Sequence, residues 1–168
     1  MKTSIITTIA TLILFAGISQ TQAVLPCANL YTLSGTKIST EEIEKDSALT
    51  ILFFWNTDNY KCREDVLELN DFYVEELKNK NIRIIAVCTG NAWDAGHIGT
   101  FVSGHNIAFE VYIDKNSDFR RAMSVPVVPF TMIINDEAES YSSYLGYNPA
   151  IEDLLGNEFK EYLASNRN

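Results

Sequence analysis

Cys62 has the most chemistry to offer. It lies in Phe53-Phe54-Trp55-Asn56-Thr57-Asp58-Asn59-Tyr60-Lys61-Cys62-Arg63, where an apolar run gives way to a short polar loop and then to a helical pattern. A thiol in the first turn of a helix, flanked by Lys61 and Arg63, sits where thiolates are favoured. A second cysteine three residues earlier would complete a dithiol pair, one thiolate attacking a substrate disulfide and its neighbour resolving the mixed disulfide. Asn59 holds that position, and an amide cannot attack. Asparagine is among the best helix N-caps, so Asn59 is read as satisfying the first turn's free amides, with a catalytic role as the alternative. Cys62 itself stays open between a reactive monothiol and a recessed, slow thiol.

The other reactive residue types give weaker patterns. Cys27 lies in a lead segment that the sequence leaves free to reach several partners, Cys62 among them. Cys88 ends an apolar run, where a cysteine is more often core than chemistry. Three cysteines leave at least one thiol without a partner in the chain. His97 and His105 have no metal-ligand spacing, so no metal is expected, and no motif calls for a cofactor. Tyr141, Tyr144 and Tyr147 are read mainly as edge-strand alternation. Glu64, Asp65 and Glu68 are read as a solvated helix face.

The elements that must position these residues alternate. Leu30–Leu33 and Thr36–Ser39 around Ser34-Gly35 read as a small hairpin, and Ser39 or Thr40 before Glu41-Glu42 reads as a short helix start. Ala48–Trp55 is a near-continuous apolar and β-favouring run, the pattern of a strand buried on both faces, and Ile82–Cys88 reads as a second buried strand. Between them, residues 63–79 carry Val66, Leu67, Leu69, Phe72, Tyr73 and Leu77 at helical spacing. A strand, a long helix and a strand with short links make a right-handed βαβ unit. A glycine-broken helix (92–103), a strand (109–113), a short helix (117–123), strands at 130–134 and 140–145, and a last helix (about 150–164) complete an α/β chain.

The N-terminus reads as an export signal. Met1-Lys2, the apolar run Ile5–Ile18 and the small, polar exit Ser19–Ala23 form the three regions of a signal peptide. The expected organisation is residues 1–23 as signal peptide and 24–168 as one domain. An uncleaved anchor, or lipidation at Cys27, are the alternatives. The formal net charge of −9 becomes −10 once Lys2 is removed, so neither nucleic acid nor anionic lipid is an expected partner.

Taken with the spacing of Trp55, Cys62 and the Val128-Pro129 pair that opens a strand, this order of elements resembles thioredoxin-like proteins, and specifically the exported TlpA/ResA-type branch. The resemblance spans about residues 30–164. It implies a thioredoxin-like α/β fold, with a central mixed β-sheet flanked by helices and an N-terminal β-hairpin extension. It implies a periplasmic, cell-envelope or secreted location and a protein or peptide thiol/disulfide partner. Residue by residue, Asn59 stands at the attacking cysteine, Cys62 at the resolving one and Pro129 at the cis-proline. Asp58 replaces the tryptophan that precedes the pair, and Phe53 stands where some thioredoxins bury an acid. Cys62 is thus the candidate catalytic thiol, and Trp55, Asn59, Tyr60, Val128 and Pro129 the candidate binding residues. The expected function is a degenerate redox site that binds or senses rather than exchanging dithiols. The alternative is a monothiol oxidoreductase or a peroxiredoxin-like antioxidant enzyme using Cys62. Peroxiredoxins carry a threonine three residues before their reactive cysteine, and here Thr57 is out of step. Oligomeric state is left open.

Overall fold

The computed structural model describes residues 25–43, 49–90, 95–135 and 140–145, together with positions 153, 156, 157, 160 and 164. The signal-peptide reading (1–23) and most of the last helix lie outside the described residues, although those five late positions are helical.

Strands β1 (Asn29–Tyr31) and β2 (Lys37–Ser39) form the expected hairpin, and its turn needs Gly35, whose φ of 86° suits glycine best. Ser39 then caps a 3₁₀ turn (Thr40–Glu42) through a capping box with Glu42. Strand β3 (Leu49–Trp55) is buried at all seven positions, Thr50 included, as its near-continuous apolar run suggests. Helix α1 (Tyr60–Phe72) follows and widens into a π-type turn at Tyr73–Leu77, where the Lys78 amide bonds back to Tyr73 O at 2.8 Å. Strand β4 (Ile82–Thr89), helix α2 (Ala95–Gly104), strand β5 (Glu110–Asp114) and helix α3 (Asp118–Ala122) come next. Strands β6 (Phe130–Asn135) and β7 (Ser140–Leu145) close the sheet.

The seven strands run in the order β2-β1-β5-β4-β3-β6-β7. Pairing is parallel from β3 through β4 to β5 and antiparallel elsewhere, so the sheet is mixed. Arg83 clamps Glu110 across β4 and β5 with bonds of 2.6 and 2.8 Å, and Tyr112 adds a third to the same carboxylate. Asp114, at the end of β5, accepts the Phe119 and Arg120 amides and so fixes the start of α3. Among the described residues, no helix is long and apolar enough to cross a membrane.

Candidate functional site

The chain reverses direction across the sheet next to β3. It leaves β3 at Trp55, turns through Asn56–Asn59 and enters α1, while β6 returns antiparallel with Phe130 opposite Phe54. The start of α1 and the Val128-Pro129 pair that leads into β6 therefore meet the same end of the sheet. The Val128–Pro129 peptide bond is cis.

The polar loop is tied to itself. Asn56 Oδ1 accepts the Asn59 amide at 2.9 Å, and Asn59 Oδ1 in turn accepts the Lys61 amide at 2.9 Å. Asn59, with extended backbone, is the N-cap of α1. Arg63 donates a guanidinium hydrogen bond to the Thr57 carbonyl, closing the loop from the helix side.

Cys62 is fully buried on the inner face of α1. Burial pushes its thiol above the ordinary value, and the nearby Asp65 carboxylate adds to that rise. The Asn56 backbone N–H, bonded to the sulfur, and the Arg63 charge pull the other way and are outweighed. In this site desolvation beats both the flanking cation and the position in the first turn. The thiol is thus protonated at neutral pH.

The structure corrects the reading of the α1 acids as one solvated face. Glu64 is exposed, but Asp65 is only 1% exposed, and its Oδ1 finds no hydrogen-bond partner among the described residues. Burial, reinforced by Glu68 and Glu64, pushes its carboxyl up to about 7. The signal was present in the spacing. Cys62, Asp65, Val66, Leu69 and Asn70 follow the three-and-four repeat of a buried stripe, with an acid inside it.

The remaining sequence candidates separate. Tyr60 is 55% exposed at the start of α1, and Val127, just before the cis pair, is 44% exposed. Val128 and Pro129 are buried. Trp55 is fully buried with its ring 5.5 Å from that of Phe101, so it supports this end of the sheet from beneath and does not line a surface. Cys88 is buried beside Trp55, and none of the three cysteines is in a disulfide. The lead segment is not free to wander, as had been expected for Cys27. Thr40 Oγ1 accepts the Ala28 amide at 3.0 Å and donates to Pro26 O at 2.7 Å, and Leu25 is buried. Cys27 lies 3.9 Å from Ser39 Oγ beside β1, which β5 and β4 separate from β3, a gap of roughly 14 Å at ordinary strand spacing. In this structure neither Cys27 nor Cys62 is in a disulfide. His97 and His105 are exposed, and His105 stacks on Phe101 at 4.5 Å. Among the described residues, no group of three or more His, Cys, Asp or Glu is placed to hold a metal ion.

Residues 21–139 match the AhpC/TSA family. The chain belongs to that family. Thiol-disulfide oxidoreductase ResA of Halalkalibacterium halodurans is 27% identical over 135 residues, covering 80% of this chain and 72% of that protein. A thioredoxin-like protein from Porphyromonas gingivalis superposes with a TM-score of 0.73 at 24% identity, covering 86% of this chain and 94% of that one. A secreted disulfide oxidoreductase of Mycobacterium tuberculosis, homologous to E. coli DsbE, superposes with a TM-score of 0.63 at 20% identity, covering 80% and 95%. The fold of this AhpC/TSA member is therefore thioredoxin-like, with the mixed sheet and flanking helices expected from its sequence.

Proposed function

We propose that this AhpC/TSA-family protein is an exported thioredoxin-fold binding protein with a degenerate redox site. The observation that carries this reading is the pairing of a capping amide with a sealed thiol. Asn59 spends its side chain on the Lys61 amide, and Cys62 is fully buried with its pKa raised. Neither half of a dithiol exchange is then available at neutral pH. At this end of the sheet Tyr60, at the start of α1, and Val127, just before the buried Val128-Pro129 pair, offer exposed apolar side chains. Such a surface suits an extended peptide segment of a partner protein. Export rests on the composition of residues 1–23, with the periplasm or cell envelope as the destination.

The test is affinity for an unfolded, reduced and alkylated polypeptide, which offers extended segments and no reactive sulfur. Saturable binding that Tyr60→Ser weakens supports this reading, and no measurable binding contradicts it.

A second reading draws on Asp65. A buried carboxyl whose pKa lies near 7 can take the Cys62 proton if a partner opens the site. Cys62 would then attack a substrate disulfide, forming one mixed disulfide and releasing one substrate thiol that carries the proton away. Substrate-dependent labelling of Cys62 separates this monothiol chemistry from binding alone.

A further inference from the structure

A cleft of about 460 Å³ opens where the three parallel strands end. Asn56 and Asp58 follow β3, Thr89 closes β4, Lys115 and Asn116 follow β5, and Arg120 comes from α3. In open α/β sheets the crevice beyond the carboxyl ends of the strands is where ligands gather, and this volume falls in the small-molecule range.

Two half-buried cations face this cleft in a chain whose formal net charge is −9. Lys115 Nζ sits 3.7 Å from the centre of the Tyr31 ring. Arg120 donates to the Val125 carbonyl at 3.0 Å and to the Pro126 carbonyl at 2.6 Å. These contacts hold both side chains in place but leave their charges uncompensated, because carbonyls and rings carry no net charge. Neither cation forms an ion pair with a carboxylate among the described residues. Both side chains stay partly exposed and so remain open to an anion. The acid on the cleft, Asp58, is exposed and therefore well screened.

We propose that this cleft binds a small organic anion through a carboxylate or phosphate group held by Lys115 and Arg120. The cleft also carries acceptors. Thr89 Oγ1 already donates to the Trp55 carbonyl at 3.1 Å, so it offers a ligand only lone pairs, and Asp58 is an acceptor as well. A hydroxyl or amine donor on the ligand would be matched by these acceptors. Asn56 links the cleft to the thiol, since it lines the cleft while its backbone N–H bonds the Cys62 sulfur and its side chain accepts the Asn59 amide. An occupant of the cleft thus bears on the loop that seals Cys62, yet its binding does not depend on whether that thiol reacts.

The experiment follows backbone amide NMR shifts of the purified protein during separate titrations with inorganic phosphate and with succinate, at constant ionic strength set by sodium chloride. The expected result is saturable shifts at the Asn56, Thr89 and Asn116 amides with at least one probe. Lys115→Gln should weaken that binding about tenfold or more, and Lys115→Arg should retain it. Saturation by phosphate alone assigns a phosphate-bearing ligand, and saturation by succinate alone a carboxylate-bearing one. Shifts no larger than those from sodium chloride, or equal affinity in a folded Lys115→Gln variant, would overturn the proposal.

Discussion

Cys62 and Asp65 lie three residues apart on the buried face of α1, so the ionised carboxylate of Asp65 acts directly against ionisation of the thiol. Desolvation raises the pKa of both groups; the Asp65 carboxylate adds to the rise at Cys62, and Glu68 and Glu64 add to the rise at Asp65. The account of a sealed site depends on this relationship.

Asp65 should make stability depend on pH in a defined window. Its carboxyl has a folded pKa of about 7 against an ordinary value of 3.8, so between these the native state holds a proton that the unfolded chain releases. The contribution is full below the unfolded value and is lost as pH rises through about 7, a cost on the order of 2–4 kcal/mol. Relative to the native protein, Asp65→Asn should gain stability at about pH 8 and far less at about pH 4, read as urea midpoints. A difference that stays constant with pH would contradict the assignment.

Asn59→Ala should remove the cap from α1 and destabilise the protein by about 1 kcal/mol without exposing Cys62. Thermal unfolding checks the first part, and native thiol labelling checks the second. An unchanged melting temperature would mean that the Asn59–Lys61 bond contributes nothing.

Asn59→Cys should return an attacking thiol to the position where the resemblance places one. Reduction of insulin disulfides should rise about tenfold or more over the native protein. A folded variant that remains at background would show that losing this residue is not what silences the site.

Tyr60→Ser and Val127→Ser change exposed side chains and should alter stability by less than about 0.5 kcal/mol. Affinity for an unfolded polypeptide should nevertheless fall several-fold in each. Full retention in both variants would move the binding surface elsewhere.

The architecture was legible because hydrophobic periodicity and turn chemistry agree along most of the chain. The near-continuous apolar, β-favouring run at 49–55 has the pattern of a strand buried on both faces, and Ser39 with Glu42 spells out its own capping box. The site was legible only in part. Residue types and spacing identify Asn59 as a cap but cannot weigh burial against the charge of Arg63 at Cys62, which depends on how deeply α1 seats on the sheet. Asp65 was misassigned because its acidic neighbours suggested a wet face, although its register with Val66 and Leu69 placed it on the dry one. Trp55 was grouped with the candidate binding residues because its position next to the loop outweighed its place at the end of a buried strand. The lead segment's attachment through Thr40 has no local signal, since it joins residues 12 and 14 positions apart. The cleft at Lys115 and Arg120 is assembled from four separate segments, and no local motif announces it.

The most direct measurement is residue-resolved thiol labelling of the native protein across pH, with a denatured control. The account predicts that exposed Cys27 labels rapidly while Cys62 labels only after unfolding, with no thiolate developing near neutral pH. Rapid native labelling of Cys62 with an apparent pKa below about 7.5 would contradict it and establish a live thiolate in its place.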